Sequence, residues 1–217
     1  MTDQEPIREN VDSWQNLMFL YKSAMKEVKT KLDILNDEFL NTHQYNPIEY
    51  IKARLKSPES IVNKLKRLDK DTTMQNMVEY VHDIAGVRLV CSFTSDIYRL
   101  ADMILKQKQF TILQTKDYIK NPKPSGYRSF HIILSVPIST TTEEVPTKVE
   151  VQIRTMAMDF WASLEHKIFY KFEGNAPAYI SQNLQECARI VSELDDRMLN
   201  LNEAIMEAKH HQEEDTQ

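Results

Sequence analysis

The stretch VEVQIRT, residues 149–155, decides the fold of the central part of this chain. At the period of two that a β-strand imposes, its valines and its isoleucine turn to one face, whereas Glu150, Gln152 and Arg154 turn to the other. The apolar face is typical of a strand that packs on a core. The polar side chains point away from that core, so they are candidates for a functional site.

A second stretch, GYRSFH at residues 126–131, precedes this strand and runs into another strand pattern. Its glycine turn is surrounded by an aromatic ring and three nitrogen-bearing groups, those of Tyr127, Lys123, Arg128 and His131. Aromatic rings stack on bases, and cationic groups bind phosphates. The two stretches together indicate a nucleotide-binding site beside the carboxylate of Glu150.

The rest of the centre shows alternating strand and helix patterns. The strand patterns, rich in β-branched residues and bounded by turn residues, cover 86–93, 111–118, 130–136 and 149–154. A helix at 97–108 separates the first two strands, and the loop 139–146 joins the last two as a hairpin. This order predicts an α+β fold, a mixed sheet of about five strands flanked by helices.

Three helices are predicted ahead of the first of these strands. Asn46-Pro47 is typical of a helix start, because proline favours the first helical position, and this helix is predicted to run through Tyr50 and Ala53. Another helix begins at Ser60, and a short one covers 74–82.

Long amphipathic helices are predicted at both ends of the chain. Apolar residues recur at alternating steps of three and four from Val11 to Phe39 and from Leu184 to Ala208, the second run following a break at Gly174 and Pro177. Such stripes predict packing across the domain's own core, contact between subunits, or both. We expect a single domain over residues 1–217, made of an amphipathic helix at 11–42, an α/β centre at 45–172 and a second amphipathic helix at 180–210.

Composition limits the possible classes of protein. The 217 residues, 41% hydrophobic and 27% charged, suffice for a full core and an ordinary globular domain. The sequence shows no apolar run of transmembrane length and no signal-peptide pattern, so we expect a cytoplasmic protein. Three glycines cannot supply a Walker loop or a dinucleotide-binding fingerprint, so side chains must hold any phosphates.

The charged residues are unevenly distributed. The net charge of −5 argues against a protein that coats nucleic acid, yet residues 52–70 hold seven basic and two acidic side chains. Apolar residues are interleaved with Arg54, Lys56, Lys64 and Arg67, so one side of this segment is expected to pack while the other presents cations. A solvated helix face is the simpler interpretation, and a site for nucleotide phosphates is the functional one.

Asp83 and Glu150 form the most informative acidic pair. They are predicted to lie at the ends of adjacent strands, and two carboxylates suit Mg²⁺, which shares its other positions with water and substrate phosphates. The alternative is that each is a surface acid or an ion-pair partner of Arg88 or Arg154. His82-Asp83 also resembles the metal-binding dipeptide of helical phosphohydrolases, but the other histidines lack a convincing spacing for that site.

Four segments occur in the order and spacing of the synthetase domain of the RelA/SpoT homologues: RLKSPES (54–60), DIAGVR (83–88), GYRSFH (126–131) and EVQIRT (150–155). The chain resembles this family from about Tyr45 to Tyr170, and its flanking helices resemble those of the small alarmone synthetases, most of all the RelP type. The resemblance implies a nucleotidyltransferase-like synthetase fold. It also implies a GTP pyrophosphokinase, which transfers the β,γ-pyrophosphate of ATP to the 3′-hydroxyl of GDP or GTP and makes ppGpp or pppGpp.

The resemblance further implies a role for each matching residue. Asp83 and Glu150 would bind Mg²⁺, and Glu150 is placed to accept the proton of the 3′-hydroxyl. ATP would be held by Arg54, Lys56, Ser60, Lys64, Arg67 and Arg88, with the two arginines flanking the adenine. GDP or GTP would be held by Tyr127, Lys123, His131 and Gln152, with the tyrosine stacked on the guanine. Glu165 and Arg154 would support residues that contact the substrates.

Small members of this family are commonly homotetramers, so the resemblance implies a homotetramer joined by the amphipathic helices. We expect synthesis without hydrolysis, because the sequence has no counterpart of the hydrolase domain of the long members. Two other functions stay open: a single-stranded RNA-binding protein and a helical interaction protein, each on a non-catalytic scaffold. The negative net charge argues against the first, and the complete set of acids and cations argues against the second.

Overall fold

Five strands form one mixed sheet in the computed structural model. In chain order they are β1 (Ile48–Leu55), β2 (Ala85–Cys91), β3 (Thr111–Asp117), β4 (Phe130–Ser139) and β5 (Glu144–Thr155). Their order across the sheet is β1-β2-β5-β4-β3, with β2 and β5 parallel and the other neighbours antiparallel. The predicted α+β fold with a mixed sheet of about five strands is confirmed.

In the residues that the structure describes, six helices accompany the sheet: α1 (Glu5–Thr42), α2 (Pro58–Arg67), α3 (Met74–Tyr80), α4 (Thr94–Leu105), α5 (Met156–Lys171) and α6 (Ala178–Glu214). The structure describes residues 5–171 and 177–214, and the side chains of 13–168 and 177–208. The predicted break at Gly174 and the predicted limit of the centre at residue 172 lie outside these ranges. In the part of the chain that is described, no helix has the length and apolar character needed to cross a membrane.

One predicted element is wrong. The segment after Pro47 forms β1 and not a helix, and it pairs antiparallel with β2 in a register that sets Arg54 opposite Gly86. Proline suggested a helix start, but the segment also alternates, with Ile51, Ala53 and Leu55 packed on the core between more polar residues. Pairing with β2 satisfies backbone N–H and C=O groups along one edge of the segment, and this outweighs the local signal of one proline.

The predicted hairpin is present, with longer strands than predicted. β4 and β5 pair from Phe130 and Ile153 out to Ser139 and Glu144, so the turn is shorter than the predicted loop 139–146.

The apolar face of the sheet is covered by α1. Side chains such as Leu89, Val151 and Ile132 are fully buried in one cluster with the helix stripe that includes Val28 and Phe39. Burial of one such side chain contributes about 1.5–3 kcal/mol, so this contact is a main source of stability. The prediction that a long helix packs across the domain's own core is therefore confirmed for α1.

The opposite face of the sheet carries the polar side chains. Strand register places five of them side by side in one row across all the strands: Lys52, Arg88, Gln152, His131 and Lys116. The neighbouring row includes Arg54, Gly86 and Glu150. Because Gly86 has no side chain, the space between the arginine and the glutamate stays open.

The first part of α6 packs on α5 and on the turn at Gly126. Leu184 and Ala188 are buried against Trp161, and Gln185 Nε2 donates a 2.7 Å hydrogen bond to the carbonyl oxygen of Pro124. Gly126 has a φ of +91°, and a Cβ built on it would lie 2.5 Å from the Cβ of Ala188. Only glycine fits this turn, because both the backbone conformation and the close helix exclude a side chain.

We expect Gly126→Ala to lower the free energy of unfolding by about 2–6 kcal/mol, since backbone strain and overpacking each cost about 1–3 kcal/mol. Thermal unfolding measures the loss. Gly86→Ala is the matched control, because its added Cβ would meet nothing nearer than 3.9 Å and should change stability little. Equal losses in the two variants would contradict the close approach of α6 to the turn.

Candidate active site

Two cavities adjoin on the polar face of the sheet. The first cavity has a volume of about 370 Å³ and is lined by Lys52, Ala53, Arg54, Asp83, Gly86, Val87, Arg88, Glu150 and Gln152. The second cavity has a volume of about 340 Å³ and is lined by Lys64, Asp83, Lys116, Tyr118, Lys123, Ser125, Tyr127, His131, Glu150, Gln152 and Glu165. Asp83, Glu150 and Gln152 line both cavities, so the predicted acidic pair stands where the two spaces meet.

Asp83 is held by two lysines. Lys56, just after β1, and Lys64, on α2, each place Nζ 2.6 Å from one of its carboxylate oxygens. Burial raises the pKa of Asp83, but the hydrogen bonds from the two lysines outweigh this and bring the pKa to about 2. The suggested pairing of Asp83 with Arg88 or Arg154 is wrong, and the carboxylate stays ionised at neutral pH.

Glu150 belongs to a closed ring of hydrogen bonds. His131 Nδ1 lies 3.1 Å from Glu150 Oε1, and Gln152 Nε2 donates to Glu150 Oε2 at 2.7 Å. Arg154 Nη2 donates to Gln152 Oε1 at 2.8 Å and to the Tyr127 hydroxyl at 2.5 Å. That hydroxyl lies 2.9 Å from His131 Nε2, which completes the ring.

The ring fixes the position of each proton. Arg154 can only donate, so the Tyr127 oxygen accepts from it and donates its single proton to His131 Nε2. Burial lowers the pKa of His131, so its imidazole is neutral and carries its proton on Nδ1, which faces Glu150. Burial also raises the pKa of Glu150, but the hydrogen bonds from His131 and Gln152 leave it below its ordinary value. Glu150 is therefore an oriented carboxylate.

The two acids fit a magnesium ion. Within the described ranges, no three His, Cys, Asp or Glu side chains come together as in a closed metal site. Mg²⁺ does not need such a cage, since it is commonly bound by one or two carboxylates, water and substrate phosphates. Each oxygen of Asp83 and of Glu150 accepts only one of the hydrogen bonds given above, which leaves a lone pair for a metal.

The structure brings most of the predicted substrate-binding residues to the two cavities. Arg54 and Arg88 line the first cavity, while Lys64, Lys123, Tyr127 and His131 line the second. Glu165, predicted to support such residues, also lines the second cavity. Lys123 Nζ lies 4.7 Å from the centre of the Tyr127 ring, and the Arg154 guanidinium lies 5.0 Å from it. Arg154 itself is buried.

Three of the predicted substrate-binding residues lie outside the lining of both cavities. Lys56 is bound to Asp83, and Arg67 is an exposed residue at the end of α2. Ser60 is exposed near the start of α2, where its backbone N–H bonds to the side chain of the capping residue Ser57.

The sequence prediction missed several residues at the site. Lys52 lines the first cavity, whereas Lys116 and Tyr118 line the second. The period of two along each strand places Lys52 and Lys116 on the polar face. Only the register of β1 and β3, however, brings them into the row of Arg88 and His131. Asp159, an acidic residue in the first turn of α5, was also missed although it comes only four residues after the end of the EVQIRT segment.

Comparison with known proteins identifies similar chains. A protein-family model described as "Region found in RelA / SpoT proteins" matches residues 53–175. GTP pyrophosphokinase YwaC of Bacillus subtilis is 43% identical over 205 residues, which span 94% of this chain and 98% of YwaC. GTP pyrophosphokinase YjbM of the same organism is 36% identical over 90% of this chain and 92% of its own length.

A solved structure has the same fold. The small alarmone synthetase 1 from Bacillus subtilis, crystallised with its product pppGpp, superposes with a TM-score of 0.85 at 34% identity. The match covers 90% of this chain and 99% of that chain, so the similarity extends over the sheet and the flanking helices.

Proposed function

The chain belongs to the RelA/SpoT family, and we propose that it is a GTP pyrophosphokinase that makes the alarmones ppGpp and pppGpp. The 3′-oxygen of GDP or GTP attacks the β-phosphorus of ATP, a new P–O bond forms, and the bond to the α-phosphate breaks to release AMP. The hydroxyl proton is lost as the new bond forms. Such a reaction uses nucleotides of the cytoplasm, where we propose that the protein acts.

A single observation carries this proposal: Asp83 and Glu150 stand at the junction of two cavities that differ in character. The first cavity has two arginines, whose flat guanidinium groups suit a purine base. The second has two tyrosines, which suit a second base, and Lys116 and Lys123, which suit its phosphates. A transfer reaction needs donor and acceptor to meet at such a junction.

On the donor side, Arg54 and Arg88 would flank the adenine. Lys56, Lys64, Ser60 and Arg67 would bind the phosphates, and they follow one another from the end of β1 along α2. Asp83 keeps the two lysines near the junction before ATP arrives. Their charges would then stabilise the negative charge that the transferred group carries in the transition state.

On the acceptor side, Tyr127 would stack on the guanine, a contact of about 1–3 kcal/mol. Lys123 would bind acceptor phosphates, and we add Lys116 to this role because it lines the same cavity. Gln152 would lie near the acceptor, and Glu165 would support this side of the cavity. The predicted phosphate contact of His131 is not favoured, because both of its ring nitrogens bond within the protein. His131 would instead orient Glu150.

Asp83 and Glu150 would hold Mg²⁺, which when bound would neutralise negative charge on the substrate phosphates. Glu150 is ionised and oriented, so it can accept the proton of the 3′-hydroxyl. Its lowered pKa makes it a weak base, so orientation of the hydroxyl is the larger part of this role.

The complete sets of acids and cations favour the enzyme over an RNA-binding protein or a helical interaction protein. The direct test is to incubate the pure protein with γ-labelled ATP and either GDP or GTP, and to separate the products by thin-layer chromatography. We expect label in a guanosine tetraphosphate or pentaphosphate, together with unlabelled AMP. Label only in ATP, or only in free phosphate, would contradict the proposal.

We also propose that the second half of α6 joins two copies of the chain in a homotetramer. Leu194, Met198, Leu201 and Ile205 are 49–59% exposed and recur at steps of four, three and four. This heptad spacing makes the stripe complementary to a second copy of itself. An exposed apolar stripe of this kind on a single chain also favours a partner over water.

Leu201→Glu combined with Ile205→Glu should lower the mass of the particle measured by light scattering after size-exclusion chromatography, because each charge would be buried in the contact. Glu203→Lys, on the opposite side of the same helix turn, is the control and should leave the mass unchanged. A wild-type monomer, or an unchanged mass in the double variant, would contradict the role of α6.

A further inference from the structure

Asp159, in the first turn of α5, is a buried acid that the reaction described above does not use. It is 4% exposed and approaches three side chains. Its Oδ1 lies 2.9 Å from Arg88 Nη1 and accepts a 3.0 Å hydrogen bond from Arg154 Nη1, while Oδ2 accepts a 2.8 Å hydrogen bond from the Tyr50 hydroxyl. A buried carboxylate with three partners fixes their positions.

The two arginines that share this oxygen serve different cavities. Arg88 lines the first cavity directly. Arg154 does not line the second cavity, but its Nη2 bonds to Tyr127 and Gln152, which do. Asp159 therefore connects Arg88, which lines the first cavity, with Arg154, which holds the Tyr127 side chain of the second cavity.

We propose that Asp159 is a positioning residue that couples the two cavities, so that a nucleotide in one raises the affinity of the other. The proposal rests on the proposed function, in which the first cavity takes ATP and the second takes a guanine nucleotide.

The coupling follows from the shared oxygen. Two guanidinium groups that meet at one oxygen repel each other, so each weakens the interaction of the other with Oδ1 of Asp159. When a purine draws Arg88 toward the first cavity, Oδ1 is left to Arg154, which then holds Tyr127 and Gln152 more firmly. A firmer Tyr127 loses less freedom when guanine stacks on it, so the second nucleotide binds more tightly. By reciprocity the acceptor has the same effect on the donor.

The test measures the dissociation constant of a non-hydrolysable ATP analogue by calorimetry, with and without saturating GDP. In the wild type we expect GDP to lower this constant at least about fivefold. The ratio of the dissociation constant without GDP to that with GDP measures the coupling. In Asp159→Asn, which keeps the shape of the side chain but loses its charge, this ratio should fall to about one. A purely structural role would weaken both affinities and leave the ratio as it is, so an unchanged ratio overturns the proposal.

Two further variants complete the test. Tyr50→Phe removes the contact to Oδ2 and leaves both arginines in place, so its ratio should equal that of the wild type. Should Asp159→Asn fail to fold, Arg88→Ala cuts the same connection at a half-buried residue and should also bring the ratio to about one. The proposal is overturned if Arg88→Ala keeps the wild-type ratio, or if the ratio in Tyr50→Phe falls to about one.

The outcomes separate this inference from the proposed function. If the wild type binds neither nucleotide, the proposed function fails. If it binds both and forms product while the ratio survives in Asp159→Asn, only the coupling fails.

Discussion

Glu150→Gln should reduce turnover at least about a hundredfold, because the carboxylate that we propose to bind metal and to orient the attacking hydroxyl becomes a neutral amide. The amide also presents an N–H to the ring of hydrogen bonds, where His131 and Gln152 both donate to Glu150. One of the two partners must therefore turn, which loosens the support of the site. Initial rates of AMP release, with ATP and GDP saturating, measure the loss.

The fold should survive this change, since Gln has the shape of Glu and the apolar core lies on the opposite face of the sheet. Glu144→Gln on the same strand is the matched control, because Glu144 is exposed at the hairpin end, away from both cavities. We expect wild-type turnover in the control. Turnover in Glu150→Gln within tenfold of the wild type would refute its catalytic role.

Asp83→Asn should cost a similar factor, at least about a hundredfold in turnover, and should raise the Mg²⁺ concentration needed for half-maximal rate. The substitution removes one of the two acids at the junction and also the shared partner of Lys56 and Lys64. Without that partner the two lysines repel each other and lose their common position. A Mg²⁺ titration of the rate separates the metal effect from the general loss.

The ion pairs of Asp83 also predict that the stability of the fold depends on pH. The Asp83 pKa is lowered from 3.8 to about 2 on folding, so its ion pairs stabilise the folded state above the higher value. This contribution is lost as the pH falls from 3.8 towards 2. The difference in unfolding free energy between wild type and Asp83→Asn should therefore be largest near neutral pH and shrink in acid.

Asp102→Asn is the control for that experiment, because Asp102 pairs with Lys106, the residue that caps the end of α4, and both side chains are exposed. Such surface pairs contribute about 0–1 kcal/mol, so both turnover and stability should stay near those of the wild type. A pH-independent difference for Asp83→Asn would contradict the assigned ion pairs.

Much of the fold could be predicted from the sequence, because period and composition act locally. The alternation in β5 and the stripe of α1 each identify one element and its buried face without knowledge of the partner. The segment after Pro47 failed for the converse reason: the same residues suit a helix start and an edge strand, and only pairing with β2 decides between them.

At the site, too, residues in local sequence patterns could be predicted, whereas residues placed by contacts between elements could not. Asp83, Glu150 and Tyr127 could be predicted because each stands in a segment with a family pattern. Lys116 and Asp159 could not, because their places depend on strand register and on the path of the chain after β5. The hydrogen-bond ring that occupies both nitrogens of His131 is a tertiary arrangement, so a phosphate contact looked equally suitable from the sequence.

The central claim is that Asp83 and Glu150 join a donor cavity to an acceptor cavity. A crystal structure with a non-hydrolysable ATP analogue, GDP and Mn²⁺ in place of Mg²⁺ tests it most directly, since anomalous scattering locates the metal. We predict the metal between these two carboxylates, adenine between Arg54 and Arg88, and guanine on Tyr127 with its 3′-hydroxyl facing the β-phosphorus. A metal held by other residues, or guanine bound away from Tyr127, would contradict the account.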